Sequence, residues 1–91
     1  MRRSADFEAT LVRNSGPAAW TYAIVPDSAQ VFGTRGPVKT RGEIDGKPVT
    51  VTLLPMGDGT HMLPVRAALR TLIGKSAGDR VHAHLEAWGE G

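Results

Sequence analysis

The stretch VKTRGEIDGKPVTVTLL, residues 38–54, predicts a β-hairpin. It places Asp45-Gly46 between two alternating runs, and this pair is favoured in two-residue type I′ turns. Setting Ile44 opposite Lys47 fixes the register and gives the two strands a common apolar face. That face, which is expected to point into the core, collects Val38, Ile44, Val49, Val51 and Leu53.

Further short strands are expected on both sides of the hairpin. Residues 7–13 alternate between apolar and polar side chains, and residues 80–87 do the same, which is typical of half-buried strands. Residues 20–25 are rich in aromatic and β-branched side chains, and Trp20 and Tyr22 are expected to pack in the core with Phe7. Residues 60–63 complete the set of strands.

One full helix is predicted, over residues 64–73. Proline suits its first position, and an apolar stripe recurs at helical spacing. The stripe, which is expected to face the core, consists of Val65, Ala68, Leu69, Leu72 and Ile73. Gly74 is predicted to end this helix in the left-handed conformation, and Lys75 follows it as an exposed side chain near the negative helix end. A single helical turn over 27–32 is also conceivable.

The tripeptide Gly74-Lys75-Ser76 resembles the end of a phosphate-binding loop. Such a loop needs a glycine five residues before the second one, a preceding strand and a following helix. Leu69 occupies that first glycine position, and the predicted helix precedes the tripeptide. Nucleotide binding is therefore not expected, and no cofactor is predicted.

These elements predict a mainly β fold, a small six-stranded (split) β-barrel with one helix at 64–73 before the last strand. Closure into a barrel removes exposed sheet edges. Ninety-one residues suit one domain spanning 1–91, with 1–5 and 88–91 expected to be flexible tails. The chain has no cysteine and no apolar run long enough to span a bilayer, so we expect a cytoplasmic protein without membrane association.

The order of motifs resembles the bacterial and archaeal domain of unknown function 1905. The matching stretches are FEATLV, WTYAIVP, FGTRGPVKTRGEIDGKPVTVTLLPMGDGTHMLPV and LRTLIGKSAGDRVHAHLE, which together cover nearly the whole chain. The resemblance implies a closed or split β-barrel, distantly similar to the barrels of AbrB-type transcription factors. It implies no activity and no catalytic residue.

The histidines offer two candidate sites. His82 and His84 point to one face of a strand and could chelate a metal with His61 or Glu86, but the neighbouring Arg80 would repel a cation. A solvated strand face explains the pair more simply, so no metal is predicted. His61 precedes the helix and is a candidate ligand contact, or an acid or base with Arg66 holding an anion, or a residue that caps or hydrogen-bonds locally.

Four basic residues complete the predicted ligand-binding set with His61. Arg66 and Arg70 share one helix face, and Lys39 and Arg41 share one face of the hairpin. Together they could form a patch for an anion or for phosphates, or they could be ordinary solvated surface charges. The net charge of +2 is too small to indicate a nucleic-acid binder by itself.

We therefore expect a non-catalytic ligand- or partner-binding module, acting as a monomer or homodimer on a small ligand or a protein. The first alternative is a nucleic-acid-binding regulator, which rests on the AbrB-like analogy. The second is a small enzyme that uses His61. A deep pocket with converging titratable groups would favour an enzyme over a binding module.

Overall fold

The computed structural model describes residues 3–14 and 20–88, and the fold is mainly β with two short helices. The elements follow in chain order. They are β1 (Ser4–Thr10), β2 (Val12–Arg13), β3 (Thr21–Val25), α1 (Ser28–Phe32), β4 (Val38–Ile44), β5 (Lys47–Pro55), β6 (His61–Pro64), α2 (Ala67–Ile73) and β7 (Arg80–Ala87).

The strands form a nearly closed, barrel-like sheet in the order β1-β7-β4-β5-β6-β3-β2, with every pairing antiparallel. Its two outer strands, β1 and β2, are separated in the chain by Leu11 alone. One continuous segment therefore pairs with β7 at one end of the sheet and with β3 at the other. This connection curls the sheet back on itself.

The described part of the chain contains seven strands, not the predicted six, because the segment after Phe7 breaks into two strands at Leu11. The backbone of Leu11 bonds to the loop before β7 instead of to a sheet neighbour: its N–H donates to Asp79, and its carbonyl accepts from Gly78. Of the predicted tails, Ser4 already belongs to β1, whereas residues 1, 2 and 89–91 lie outside the described residues.

The predicted hairpin and its register are confirmed. Ile44 pairs with Lys47, and the ladder continues to Val38 opposite Leu53. Asp45 and Gly46 both have positive φ, 48° and 82°, as a type I′ turn requires.

The core is a single cluster supplied mainly by the inner faces of the strands. It consists of Phe7, Leu11, Ala23, Val25, Phe32, Val38, Ile44, Leu53, Leu63, Val65, Val81, Ala83 and Leu85. The inward face predicted for the hairpin is confirmed at its buried residues, Val38, Ile44 and Leu53. The prediction for β3 was wrong, because Thr21, Ala23 and Val25 point inward while Trp20 is exposed and Tyr22 half-buried. The interior beside Leu63 accepts small side chains from β3, not the large rings.

The helix before β7 is shorter than predicted, and it lies on the barrel instead of in its core. Pro64 remains in β6, and the N–H of Val65 donates to the carbonyl of Thr21 at 2.9 Å, so α2 begins only at Ala67. No residue of α2 is buried, and Leu72 is 62% exposed. The short α1 is the second helix. In the described part of the chain, no helix is long and apolar enough to span a bilayer.

Candidate functional site

An open groove of about 1020 Å³ lies between β5 and α2. One wall is β5, and the other is the apolar side of α2 with Ala68, Leu69 and Leu72. Trp20 and Trp88 border the same space. We call this space the β5 groove.

The β5 groove follows the edge of the strand, not one of its faces. Val49 and Val51 point to the inner side of the barrel and Thr50 and Thr52 to the outer side, yet all four line the groove. Among the described residues, β5 pairs with β4 along 47–53 but with β6 only at its last two residues, 54–55. The separation of β5 from β6 thus leaves a split in the barrel, and α2 stands over it.

Exposed apolar side chains concentrate at this groove. Three large hydrophobic residues that line it are strongly exposed: Trp20 at 44%, Leu72 at 62% and Trp88 at 44%. Single exposed apolar residues are ordinary, but a contiguous group typically marks an interaction surface. The apolar stripe predicted for the core is therefore divided, with Leu69 and Ile73 half-buried and Leu72 left at the groove.

The charges at the groove have one sign. Lys39, Arg66 and Arg70 line it, and none of its described lining residues is acidic. Arg70 is held in place because its Nη1 donates to the carbonyl of Val65 at 2.6 Å. The guanidinium carbon of Arg41 lies over the ring of Trp88, 5.5 Å from the ring centroid, which is a cation–π contact.

Four of the five predicted ligand-binding residues therefore cluster here. Lys39, Arg66 and Arg70 line the groove, and Arg41 adjoins it through Trp88.

His61, the fifth residue, lies elsewhere and is fully buried. Its Nε2–H donates to the carbonyl of Gly36 at 2.7 Å, so its Nδ1 accepts the hydroxyl proton of Ser28 at 2.5 Å. These two bonds join β6 to α1 and to the loop before β4. His61 therefore stabilises the fold through these bonds, and neither of its ring nitrogens reaches the β5 groove.

His82 and His84 lie on the outer face of β7, as predicted, and both contact Asp6 of β1. Nε2 of His82 is 2.6 Å from one carboxylate oxygen and Nδ1 of His84 is 3.0 Å from the other. The bond from His82, followed by that from His84, lowers the pKa of Asp6, and the bond to Asp6 raises the pKa of His82. Within residues 3–14 and 20–88, no three histidine or acidic side chains are arranged to hold a metal ion.

A second, smaller depression of about 640 Å³ lies beside α1 and is more polar than the β5 groove. Asp27, Arg35 and Asp58 border it. Thr60 donates to Asp58 from both its hydroxyl and its backbone N–H, and these bonds lower the pKa of Asp58. The depression has less apolar wall than the β5 groove, so it offers a ligand less.

The sequence pointed to the cations of the site but not to its apolar walls. Trp20, Leu72 and Trp88 were expected in the core or in a tail. These walls depend on where β5 separates from β6, and the pattern of neither strand alone indicates that point.

The chain matches a known family model. The model of the family described as "Domain of unknown function (DUF1905)" matches residues 7–85. No curated protein matches the chain. The matched range contains β5 and α2, the two elements that form the walls of the groove.

Proposed function

Because the chain belongs to the DUF1905 family of domains of unknown function, we propose a function from its own surface: it is a binding module, and its site is the β5 groove. The proposal rests on one observation. Exposed apolar side chains and basic side chains line the same groove along an incompletely paired strand. The occupant is an anion that also presents apolar surface.

The energetics favour such an occupant over a purely polar anion. Each square ångström of apolar surface removed from water contributes about 25 cal/mol, so covering about 200 Å² would contribute about 5 kcal/mol before the cost of association. Leu72, Trp20 and Trp88 supply this surface. Arg66 and Lys39 add attraction for an anion and speed its encounter with the groove.

The lining residues support binding more than catalysis. General acid–base work needs a side chain that titrates near the working pH and reaches the substrate. Among its described residues, the groove is lined by no histidine, aspartate or glutamate. The buried position of His61 gives no support to the alternative of an enzyme built on that residue.

The test is a fluorescence titration with anilinonaphthalene sulfonate, an aromatic anion, beside the uncharged N-phenylnaphthylamine, which has the same rings without the sulfonate. We expect the anion to bind the wild type more tightly. Leu72→Asp should weaken it about tenfold or more, because it removes apolar wall and adds a negative charge.

The matched control is Met56→Asp, which adds the same charge to a 40% exposed apolar residue outside the groove. It should bind the anion nearly as the wild type does. Equal binding of the charged and uncharged probes, or equal weakening by both substitutions, would contradict the proposed site.

A second candidate occupant is single-stranded nucleic acid. One observation favours it: Trp20 and Trp88 border a groove that three basic side chains also line. Aromatic rings stack on bases, and basic side chains contact phosphates. A dT oligonucleotide should then displace anilinonaphthalene sulfonate, and its affinity should fall steeply between about 50 and about 200 mM salt. No displacement at the lower salt concentration would rule this occupant out.

A further inference from the structure

This inference rests on the proposed function and names the class of partner. We infer that the β5 groove takes an extended acidic peptide, which adds as a further strand to the open edge of β5. Its apolar side chains pack against α2, and its carboxylates face the cations at the rim.

The first support is the backbone of β5. A strand within a sheet uses alternate N–H and C=O groups toward each neighbour, so a strand paired on one side presents the remaining groups outward. Along 48–53, β5 has β4 on one side and, among the described residues, no strand on the other. Added peptides bind such edges through main-chain hydrogen bonds, and the alternate side chains provide specificity.

The second support is the shape of the groove. Successive side chains of an added strand point to opposite sides. Those on the inner side would meet Val51 and the apolar flank of α2 at Leu72, whereas those on the outer side would lie beside Thr52 and Trp88. A peptide with alternating apolar and acidic residues matches both sides at once.

The third support is charge. Lys39 of β4 and Arg66 before α2 form the basic rim of the groove. Its described residues include no acid. The same rim argues against a second copy of this chain as the occupant, because a two-fold symmetric contact would place the cations of one groove opposite those of the other. Aliphatic walls also suit peptide side chains better than a continuous row of bases.

The experiment is a selection from a displayed library of random peptides of about ten residues, the upper length of ordinary strands. Wild-type protein serves as bait, Leu72→Asp is used for counter-selection, and Met56→Asp serves as the control bait. We expect the selected sequences to alternate apolar residues with Asp or Glu. Basic sequences, or no enrichment over the counter-selected pool, would overturn the inference.

The strongest selected peptide then tests the binding mode. Two N-methylated forms are synthesised, each blocking every second backbone N–H in one of the two possible phases. One form should bind about tenfold or more weakly and the other nearly as the parent does, because only one phase points at β5. Equal affinity of both forms and the parent would exclude strand addition.

The outcomes also separate this inference from the proposed function. If anilinonaphthalene sulfonate binds the groove but no acidic peptide is selected, the groove stands as a site and the peptide is wrong. If the probe fails as well, the proposed function is wrong too. Two other results would assign the groove to another occupant. A wild-type dimer in sedimentation that Leu72→Asp dissociates would assign it to a second copy of the chain. Displacement of the selected peptide by dT oligonucleotide would assign it to single-stranded nucleic acid.

Discussion

The ammonium group of Lys75 lies 2.8 Å from Oδ2 of Asp45, so a salt bridge joins the turn after α2 to the tip of the β4–β5 hairpin. Lys75 also donates to the carbonyl of Arg80, and Oδ1 of Asp45 accepts the backbone N–H of His82 at 2.8 Å. The bond from His82, followed by that from Lys75, lowers the pKa of Asp45. The lysine of the Gly-Lys-Ser tripeptide thus connects two turns.

Lys75→Ala should destabilise the protein by about 1 kcal/mol, since it removes a hydrogen-bonded ion pair in which the side chains are only 31% and 20% exposed. This is more than an exposed lysine at a helix end would contribute. Urea unfolding measures the change, with the exposed Lys47→Ala on the same hairpin as the control. A loss no larger than that of the control would show that the ion pair contributes nothing.

Gly42→Ala should be the more damaging change, at about 3 kcal/mol. Gly42 lies in β4 between β5 and β7, and a Cβ there would clash with the carbonyl oxygen of His84, a backbone atom that cannot turn away. Gly36→Ala is the control, because its Cβ would make only an ordinary contact with Thr34. Similar melting temperatures for the two variants would contradict the close approach of β4 and β7.

Asp6→Asn should cost stability in a pH-dependent manner. The pKa of Asp6 is lowered, so its contribution is present above its ordinary value of about 4 and is lost as the pH falls through the lower folded value. The pKa of His82 is raised, so its contribution is present below about 6.5 and is lost as the pH rises through the higher folded value. The pair therefore contributes most between about pH 4 and 6.5.

Thermal melts of wild type and Asp6→Asn at about pH 5.5 and 8.5, on either side of the histidine titration, check this expectation. The variant should lose more stability at the lower pH. Asp58→Asn, which alters a carboxylate bonded to Thr60 and not to a histidine, is the control and should show little difference between the two pH values, since both lie above its lowered pKa. An equal loss for Asp6→Asn at both pH values would contradict the assigned pair.

Ser28→Ala should cost about 2 kcal/mol, because it leaves Nδ1 of the buried His61 without its hydroxyl donor. Ser76→Ala, at an exposed serine, should change stability by less than about 0.5 kcal/mol. Calorimetric melts compare the two. Equal melting temperatures for Ser28→Ala and Ser76→Ala would show that the buried bond between Ser28 and His61 does not stabilise the contact of α1 with β6.

The parts of the fold that followed from the sequence are those fixed by local chemistry. Asp45-Gly46 sets the turn and, with it, the register of β4 and β5. Gly74 ends α2 with a φ of 70°, as its position after the apolar stripe predicted. Which face of β3 points inward did not follow from the sequence. Residues 20–25 have apolar side chains on both faces of the strand, so packing inside the barrel decides which face is buried.

The candidate site was predictable only in its charges. Spacing along one helix places Arg66 and Arg70 together, and spacing along one strand places Lys39 and Arg41 together. The groove itself depends on where β5 separates from β6, which is a property of long-range pairing. Leu72 belongs to a stripe with core periodicity, and only the tertiary position of α2 leaves it exposed.

The proposed function requires that this protein binds its partner at the β5 groove. Backbone amide NMR spectra recorded during a titration with anilinonaphthalene sulfonate test it most directly. We expect the largest shifts in β5 and α2, around Val51 and Leu72, and we expect them to vanish in Leu72→Asp but to persist in Met56→Asp. Shifts centred on the polar depression at Arg35 and Asp58, or unchanged by Leu72→Asp, would contradict it.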